Sequence, residues 1–178
     1  MAILETERLV LRQMTPHDVD YLLGIFSDPV AMRYYPATKD RREAEGWVAT
    51  NIRRYAEDSV GLWIVELRES GRFIGQCGLT MQEVDGVWEP EVGYLFLRAY
   101  WGRGYATEAA AACLDYGFDR RGYARIICLT TPENAPSRRV AARLGMRLER
   151  EIERRGLRMC VFALNRSERQ ATADNNHP

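Results

Sequence analysis

The 178-residue sequence predicts a mixed α+β fold. It has one central sheet of about seven strands, mostly antiparallel with a single parallel pair, flanked by about four to five helices. Three observations carry this. From Glu91 to Thr131 the chain reads strand, helix, strand, which joins two parallel neighbours through a crossover helix. The strands before that unit are joined through short turns, and the last two by a tight hairpin, so antiparallel pairing is expected there. The apolar pattern switches repeatedly between a period of two and helical spacing.

In chain order, residues 7–14 form a first strand in which Leu9 and Leu11 alternate with Val10 and Arg12. Thr15-Pro16-His17-Asp18 starts a helix that runs to about Phe26, with Thr15 as N-cap and Pro16 at the first helical position. Asp28-Pro29 restarts a short helix through Tyr34, broken by Pro36. Asp40 and Glu43 form a capping-box pair for a third helix to about Glu57. Residues 61–67 and 73–81 are two strands joined by Glu69-Ser70-Gly71, and Gly75 and Gly78 inside the second imply a bulge or a close neighbouring backbone. Asp85-Gly86 turns the chain into the next strand. A helix ending near Gly122 is followed by the continuous apolar strand 124–131 and a helix over 134–144 with Gly145 as its C-cap. Residues 146–153 and 157–164 close the fold as a hairpin around Arg155-Gly156. Residues 1–166 make one domain, and the polar tail 167–178 is expected to be disordered.

Composition excludes several classes of function. Lys+Arg and Asp+Glu are equal at 25 each, so no net field draws the chain to nucleic acid or an anionic membrane. Lys39 is the only lysine, a bias that fits GC-rich codons better than a phosphate-binding surface. No apolar run approaches the ~20 residues of a membrane span, and the N-terminus lacks a signal-peptide layout. Cys77, Cys113, Cys128 and Cys160 stand apart in apolar surroundings with no CxxC pair. Buried reduced thiols in a cytoplasmic protein are therefore expected, with no metal site.

The junction from Glu91 to Phe118 carries the function. Val92, Tyr94 and Phe96 alternate with Gly93, Leu95 and Leu97, then Gly102 and Gly104 precede an alanine-rich helix start. Such a junction leaves backbone N–H groups free at the positive end of a helix, a site for a phosphate or pyrophosphate. A Walker loop is excluded because no Lys-Ser/Thr follows the glycines, and a Rossmann site is disfavoured by an incomplete fingerprint behind four strands.

Three segments together resemble the GNAT superfamily of acyl-CoA-dependent N-acetyltransferases, and within it the RimJ/RimL-like branch of ribosomal-protein N-terminal acetyltransferases. They are LETERLVLRQMTPHD followed by FSDPVAMRYY, EVGYLFLRAYWGRGYATEA, and NAPSRRVAARLGM. The resemblance spans residues 3 to about 165 and implies a parallel pair splayed at a coenzyme A site. The family's pyrophosphate loop falls on Trp101-Gly102-Arg103-Gly104-Tyr105-Ala106, with Trp101 departing from the general Gln/Arg. The resemblance places the pyrophosphate of acetyl-CoA on the N–H groups of Arg103, Gly104, Ala106 and Thr107, within the loop that also holds Gly102 and Tyr105. It places the pantetheine arm along the backbone of Leu95, Phe96 and Leu97, with an N–H near Phe96 polarising the thioester carbonyl. Asn134 matches the asparagine that faces the pantetheine amide, though it also suits an N-cap. Ser137 matches the serine near the sulfur and is a candidate acid, helix packing being the alternative. The tyrosine that many members carry four residues later is Ala141 here, which leaves Ser137, a water or unassisted thiolate departure.

The attacking amine must lose its proton, and a carboxylate can accept it directly or through a water. Glu91 is the first choice, matching the acidic residue of the branch's E-[IV]-G-Y; Glu89 and Glu83 are the alternatives, and a strand-end salt bridge is the structural one. His17 is the only histidine outside the tail, which gives no support to a histidine-based mechanism, and Cys128 reads as core. The resemblance implies an acceptor wall from Asp28 to Tyr55, with Met32, Tyr34, Tyr35 and Trp47 as candidate lining, ordinary packing of the aromatics being the alternative. The expectation is direct acetyl transfer to a primary amine, either a protein N-terminus or a small molecule. The rival is a catalytically silent CoA-binding module. A homodimer through the final strands is compatible with the pattern, which does not decide it.

Overall fold

The computed structural model describes residues 2–169. Its centre is one eight-stranded sheet in the order β1-β2-β3-β4-β5-β6-β8-β7. The strands are β1 (Ala2–Glu5), β2 (Leu9–Arg12), β3 (Leu62–Leu67), β4 (Phe73–Val84), β5 (Val87–Phe96), β6 (Arg125–Thr130), β7 (Arg147–Arg154) and β8 (Leu157–Asn165). The helices are α1 (Val19–Phe26), α2 (Arg41–Glu57), α3 (Tyr105–Asp115) and α4 (Ala135–Arg143). A tighter 3₁₀ turn, Pro16–Asp18, leads into α1, and a π-turn, Tyr116–Arg120, extends α3. All strand pairs are antiparallel except β5 with β6, as the strand–helix–strand reading required.

Local chemistry explains most of these elements. Asp40 accepts from the Glu43 N–H at 2.8 Å while Glu43 accepts from the Asp40 N–H at 2.9 Å, so both orphan donors at the start of α2 are satisfied. Asp85 and Gly86, at φ 52° and 81°, supply the two positive angles that a tight β4–β5 turn needs. The two glycines of β4 have distinct causes. A Cβ at Gly78 would lie 2.1 Å from the Gly61 carbonyl oxygen, and one at Gly75 would lie 2.6 Å from that of Leu95. The β3–β4 register also shifts beside Gly75, between Val65 and Glu66.

The structure corrects the sequence reading in four places. An eighth strand, β1, pairs Ala2 with Arg12 and Leu4 with Leu11; its four residues are too few to show a period. Residues 29–34 form turns where a short helix was expected. Asp28 accepts the Met32 N–H at 3.0 Å and Met32 accepts the Tyr35 N–H at 2.8 Å, but Pro36 leaves no length to propagate a helix. The first helix opens as the 3₁₀ turn, held by Asp18, whose carboxylate accepts from the Thr15 N–H at 2.7 Å. Residues 166–169 are helical, and the rest of the expected disordered tail, 170–178, lies outside the described residues.

The central strands are buried on both faces. Trp63 and Val65 of β3 face a core formed with α3 and α4, while Leu62 and Ile64 face the other core, formed with α1 and α2. Buried charge is paired: Asp18, 2% exposed, receives both terminal nitrogens of Arg12 at 2.8 and 2.9 Å. All four cysteines are buried and unbridged. Strand β7, one of the two final strands, is an edge strand of the sheet.

Candidate active site

The one parallel pair barely pairs. Strands β5 and β6 meet in register only at Glu91 and Ile127 and diverge beyond it, β5 toward the glycine loop and β6 toward α4. On the far side β5 is fully paired with β4, where the Leu97 N–H reaches the Ile74 carbonyl at 2.9 Å. Alternation along an antiparallel strand therefore turns the backbone groups of Leu95 and Leu97 toward β4, and those of Tyr94 and Phe96 toward the opening. The Phe96 carbonyl already accepts from Trp101 Nε1 at 2.9 Å, so the indole at the departing family position ties the loop back to the strand.

The loop then reaches a helix start. Gly102 and Gly104 both adopt the left-handed region, at φ 74° and 81°, and Gly104 is the N-cap of α3. The first α3 bond runs from the Glu108 N–H to the Gly104 carbonyl at 3.0 Å. The N–H groups of Tyr105, Ala106 and Thr107 consequently have no partner within the helix. Residues 101–104 are exposed, so these donors open to the surface beside the split.

Residues from the N-terminal strand brace this loop, and the sequence reading did not single them out. Glu108 Oε1 accepts from the Thr6 hydroxyl at 2.6 Å and from the Arg8 N–H at 3.0 Å, while Oε2 takes Arg8 Nε at 2.6 Å. Partial burial alone would raise the Glu108 carboxyl, but these bonds from Thr6 and Arg8 outweigh it and lower its pKa. Arg8 Nη1 donates to the Arg103 carbonyl at 3.1 Å, and its guanidinium lies 4.5 Å over the Tyr105 ring. Arg103 in turn stacks over Tyr100 at 5.7 Å. Thr6, Arg8 and Glu108 look like ordinary surface polarity in sequence, and only the chain separation of about a hundred residues, closed by the fold, reveals them.

The chemistry-bearing groups gather where the strands part. Glu91 is partly open to the split, but its carboxylate is shielded from water, and this raises its pKa to about 7. The Leu129 N–H at 3.4 Å from Oε1 and the Thr80 hydroxyl at 3.5 Å from Oε2 moderate the rise. The alternatives fare differently. Glu89 is bound to Arg125 at 2.6 Å, which also holds Glu149, and Glu83 lies exposed beside the hairpin turn.

Across the split, Asn134 caps α4 by accepting the Ser137 N–H at 3.1 Å, which fulfils the N-cap alternative for that residue. The Tyr94 hydroxyl sits 3.0 Å from Ser137 Oγ, donates to the Ser137 carbonyl at 3.1 Å and lies 3.8 Å from Cys128 Sγ. Loss of water raises the Tyr94 pKa far above its ordinary value. Tyr94 is thus a hydroxyl at the site that alternation alone presented as core. Burial likewise pushes the Cys128 thiol up to about 12, so it stays protonated. The hydroxyls of Thr130 and Thr131, at the end of β6, are buried and find no hydrogen-bond partner among the described residues.

Of the four expected wall residues, one is coupled electrostatically to the carboxylate. Met32 is core at 2% exposure, Trp47 donates its Nε1 to Gln76 at 2.9 Å, and Tyr34 stacks beneath Arg33. Tyr35 is 45% exposed as a whole residue, yet its hydroxyl is shielded and feels the charge of Glu91. Loss of water there, with the Glu91 charge second, pushes its pKa up to about 12. Among the described residues no three His, Cys, Asp or Glu side chains gather to hold a metal ion.

Comparison with known proteins places this arrangement. The model of the acetyltransferase (GNAT) domain matches residues 8–147. The chain is 41% identical over 160 residues to the uncharacterised protein YkkB of Bacillus subtilis (strain 168), covering 89% of this chain and 93% of that one. The crystal structure of an acetyltransferase from Agrobacterium tumefaciens str. C58 superposes with a TM-score of 0.82 at 27% identity, over 92% of this chain and 94% of that chain. RimL, the ribosomal L7/L12 α-N-protein acetyltransferase solved with coenzyme A, shares the fold at a TM-score of 0.78 and 16% identity, over 94% of this chain and 99% of that one.

Proposed function

Because the chain belongs to the GNAT acetyltransferase family, we propose that it moves the acetyl group of acetyl-CoA onto a primary amine, either a protein N-terminus or a small molecule, by direct attack with both substrates bound. The observation that carries this reading is the placement of Glu91. It is a shielded carboxyl poised near neutrality at the one point where β5 and β6 still pair, and it faces the opening beyond.

The donor fits the residues present. Free helix-start N–H groups after two left-handed glycines suit a diphosphate, and in this reading Arg103, Gly104, Ala106 and Thr107 hold it. Phe96, with Tyr94, offers backbone toward the opening for the pantetheine arm, and Asn134 stands at the start of α4 on the other side. A CoA complex of a protein with this fold supports the assignment. Acetyl-CoA supplies an activated acyl carbon and a thiolate leaving group.

The side chains divide the proton work. Glu91 takes the proton that the amine loses as its nitrogen bonds to the acyl carbon. The Phe96 N–H is directed at the developing oxyanion. As the carbon–sulfur bond breaks, the Tyr94 hydroxyl, held beside Ser137 Oγ, turns to donate a hydrogen bond to the departing thiolate, which takes its proton from solvent as coenzyme A leaves, so Ser137 acts with Tyr94 rather than alone. Tyr35, at the acceptor side of Glu91, orients the amine.

A thiol-release assay over a panel of N-terminal peptides, polyamines, amino acids and aminoglycosides tests the reading. Turnover with at least one acceptor, abolished in Glu91→Gln, is expected. Coenzyme A binding without turnover on any acceptor would instead identify a silent binding module.

A further inference from the structure

A directed line of hydrogen bonds connects Glu91 to the last hairpin. Arg154, the final residue of β7, donates from Nη2 to Gln82 Oε1 at 2.7 Å. Gln82 donates from Nε2 to Thr80 Oγ1 at 3.1 Å, and the Thr80 hydroxyl faces Glu91 Oε2 at 3.5 Å. The direction is forced. A guanidinium has donors and no acceptor, so it fixes which end of the Gln82 amide faces it. The amide nitrogen then occupies an acceptor site of the Thr80 oxygen, which leaves the hydroxyl hydrogen for Glu91. Every donor therefore points at the carboxylate, an order that favours its ionised form.

Arg154 also differs from the other arginines on β7 and β8. Arg150 is paired with Asp85 at 3.0 Å and Arg158 with Glu151 at 3.3 Å, whereas the described residues form no ion pair with Arg154. We propose that Arg154 is a positioning residue for Glu91, acting by its charge and through Gln82 and Thr80 to hold Glu91 in its proton-accepting state, so that the last hairpin is part of the catalytic apparatus. The proposal rests on Glu91 being the base.

The groups facing Glu91 can be named element by element. Strand β6 contributes the Leu129 N–H and the Cys128 thiol, β4 contributes Thr80 and Gln82, the segment before α2 contributes Tyr35, and β7 contributes Arg154. Tyr35 and Cys128 are neutral throughout the physiological range, both raised to about 12. Arg154 is the one full charge in this set. Its attraction counters the loss of water that raises the Glu91 carboxyl to about 7.

The test uses the full chain in four forms: wild type, Arg154→Met, Arg154→Lys and Gln82→Leu. Two quantities are measured. One is the pH profile of kcat/KM with an acceptor found in the panel. The other is the ¹³C-carboxyl NMR titration of Glu91, assigned by loss of its signal in Glu91→Gln. Arg154→Met should move both the acid limb and the titration upward by about half to one pH unit, the low end for a half-exposed charge that does not touch the carboxylate. Activity below the wild-type midpoint then drops by roughly 3- to 10-fold and recovers at high pH. Arg154→Lys should restore the wild-type limb, and Gln82→Leu should shift it in the same direction by less. A uniform loss at all pH values, with the titration unmoved, would overturn the proposal, because a merely structural arginine produces that pattern. A titration that moves in Arg154→Met while Glu91→Gln still turns over would uphold the link and refute the base.

Discussion

Replacing Glu91 with glutamine should stabilise the protein while stopping its chemistry. Folding carries this carboxyl from an ordinary 4.5 to about 7, because the folded site shields the charge more than its neighbours repay. The sign follows from which state binds the proton. Between those two values the unfolded chain has already lost the proton and the folded chain still holds it, so folding stability falls as pH rises through the interval and levels off above it. At 1.36 kcal/mol per pH unit the full penalty is about 3 kcal/mol. Partial opening of Glu91 to the split reduces that to about 2 kcal/mol. Glutamine has the same shape, accepts the Leu129 N–H and carries no charge to shield. Urea unfolding without acetyl-CoA, near pH 5 and near pH 8, reads the difference. The variant should gain little at the lower pH and about 2 kcal/mol at the higher, a Tm rise of roughly 4–8 °C. Turnover should fall by about 10²- to 10⁴-fold. A gap between variant and wild type that does not widen with pH would refute the reasoning, since it would mean that the carboxylate is already well solvated.

Two further outcomes probe the rest of the site. Gly104→Val puts a β-branched residue at φ 81°, which costs roughly 1–2 kcal/mol locally and moves the start of α3; isothermal titration should show CoA affinity reduced at least ~10-fold, and unaltered affinity would contradict the placement of the diphosphate. Tyr94→Phe removes the hydroxyl 3.0 Å from Ser137 Oγ and should lower kcat by roughly 10- to 100-fold with little change in the KM for acetyl-CoA, whereas an undiminished kcat would show that the thiolate departs unaided.

The glycine junction was legible because its causes are local. Positive φ at Gly102 and Gly104 and the alanines of α3 act over a few residues, so their pattern alone announces free N–H groups. The same holds for the Asp40–Glu43 box and the Asp85-Gly86 turn, whose partners are neighbours in the chain. Gly75 and Gly78 sit between these cases: their placement in a strand signalled close backbone, but only the sheet shows that Gly61 and Leu95 are what approach.

What tertiary structure decided is the chemistry. The four residues of β1 become a strand only by lying against β2, since a segment so short carries no period of its own. Glu91 was identifiable as a carboxylate on the central strand, which begins four residues before it, at Val87, but its proton affinity depends on how much water the split excludes, and that is a property of surrounding elements. Tyr94 alternates like any core residue; its hydroxyl matters because α4 brings Ser137 to it from 43 positions away. Arg154 and Gln82 are 72 positions apart, and Arg8 and Glu108 are 100 apart. Sequence periodicity records which face of an element is buried, and it holds no record of which distant side chain arrives at that face. The sequence by itself therefore determined the sheet, the loop and the ligand class they suit, whereas packing determined the ionisation and hydrogen bonding of the groups that act.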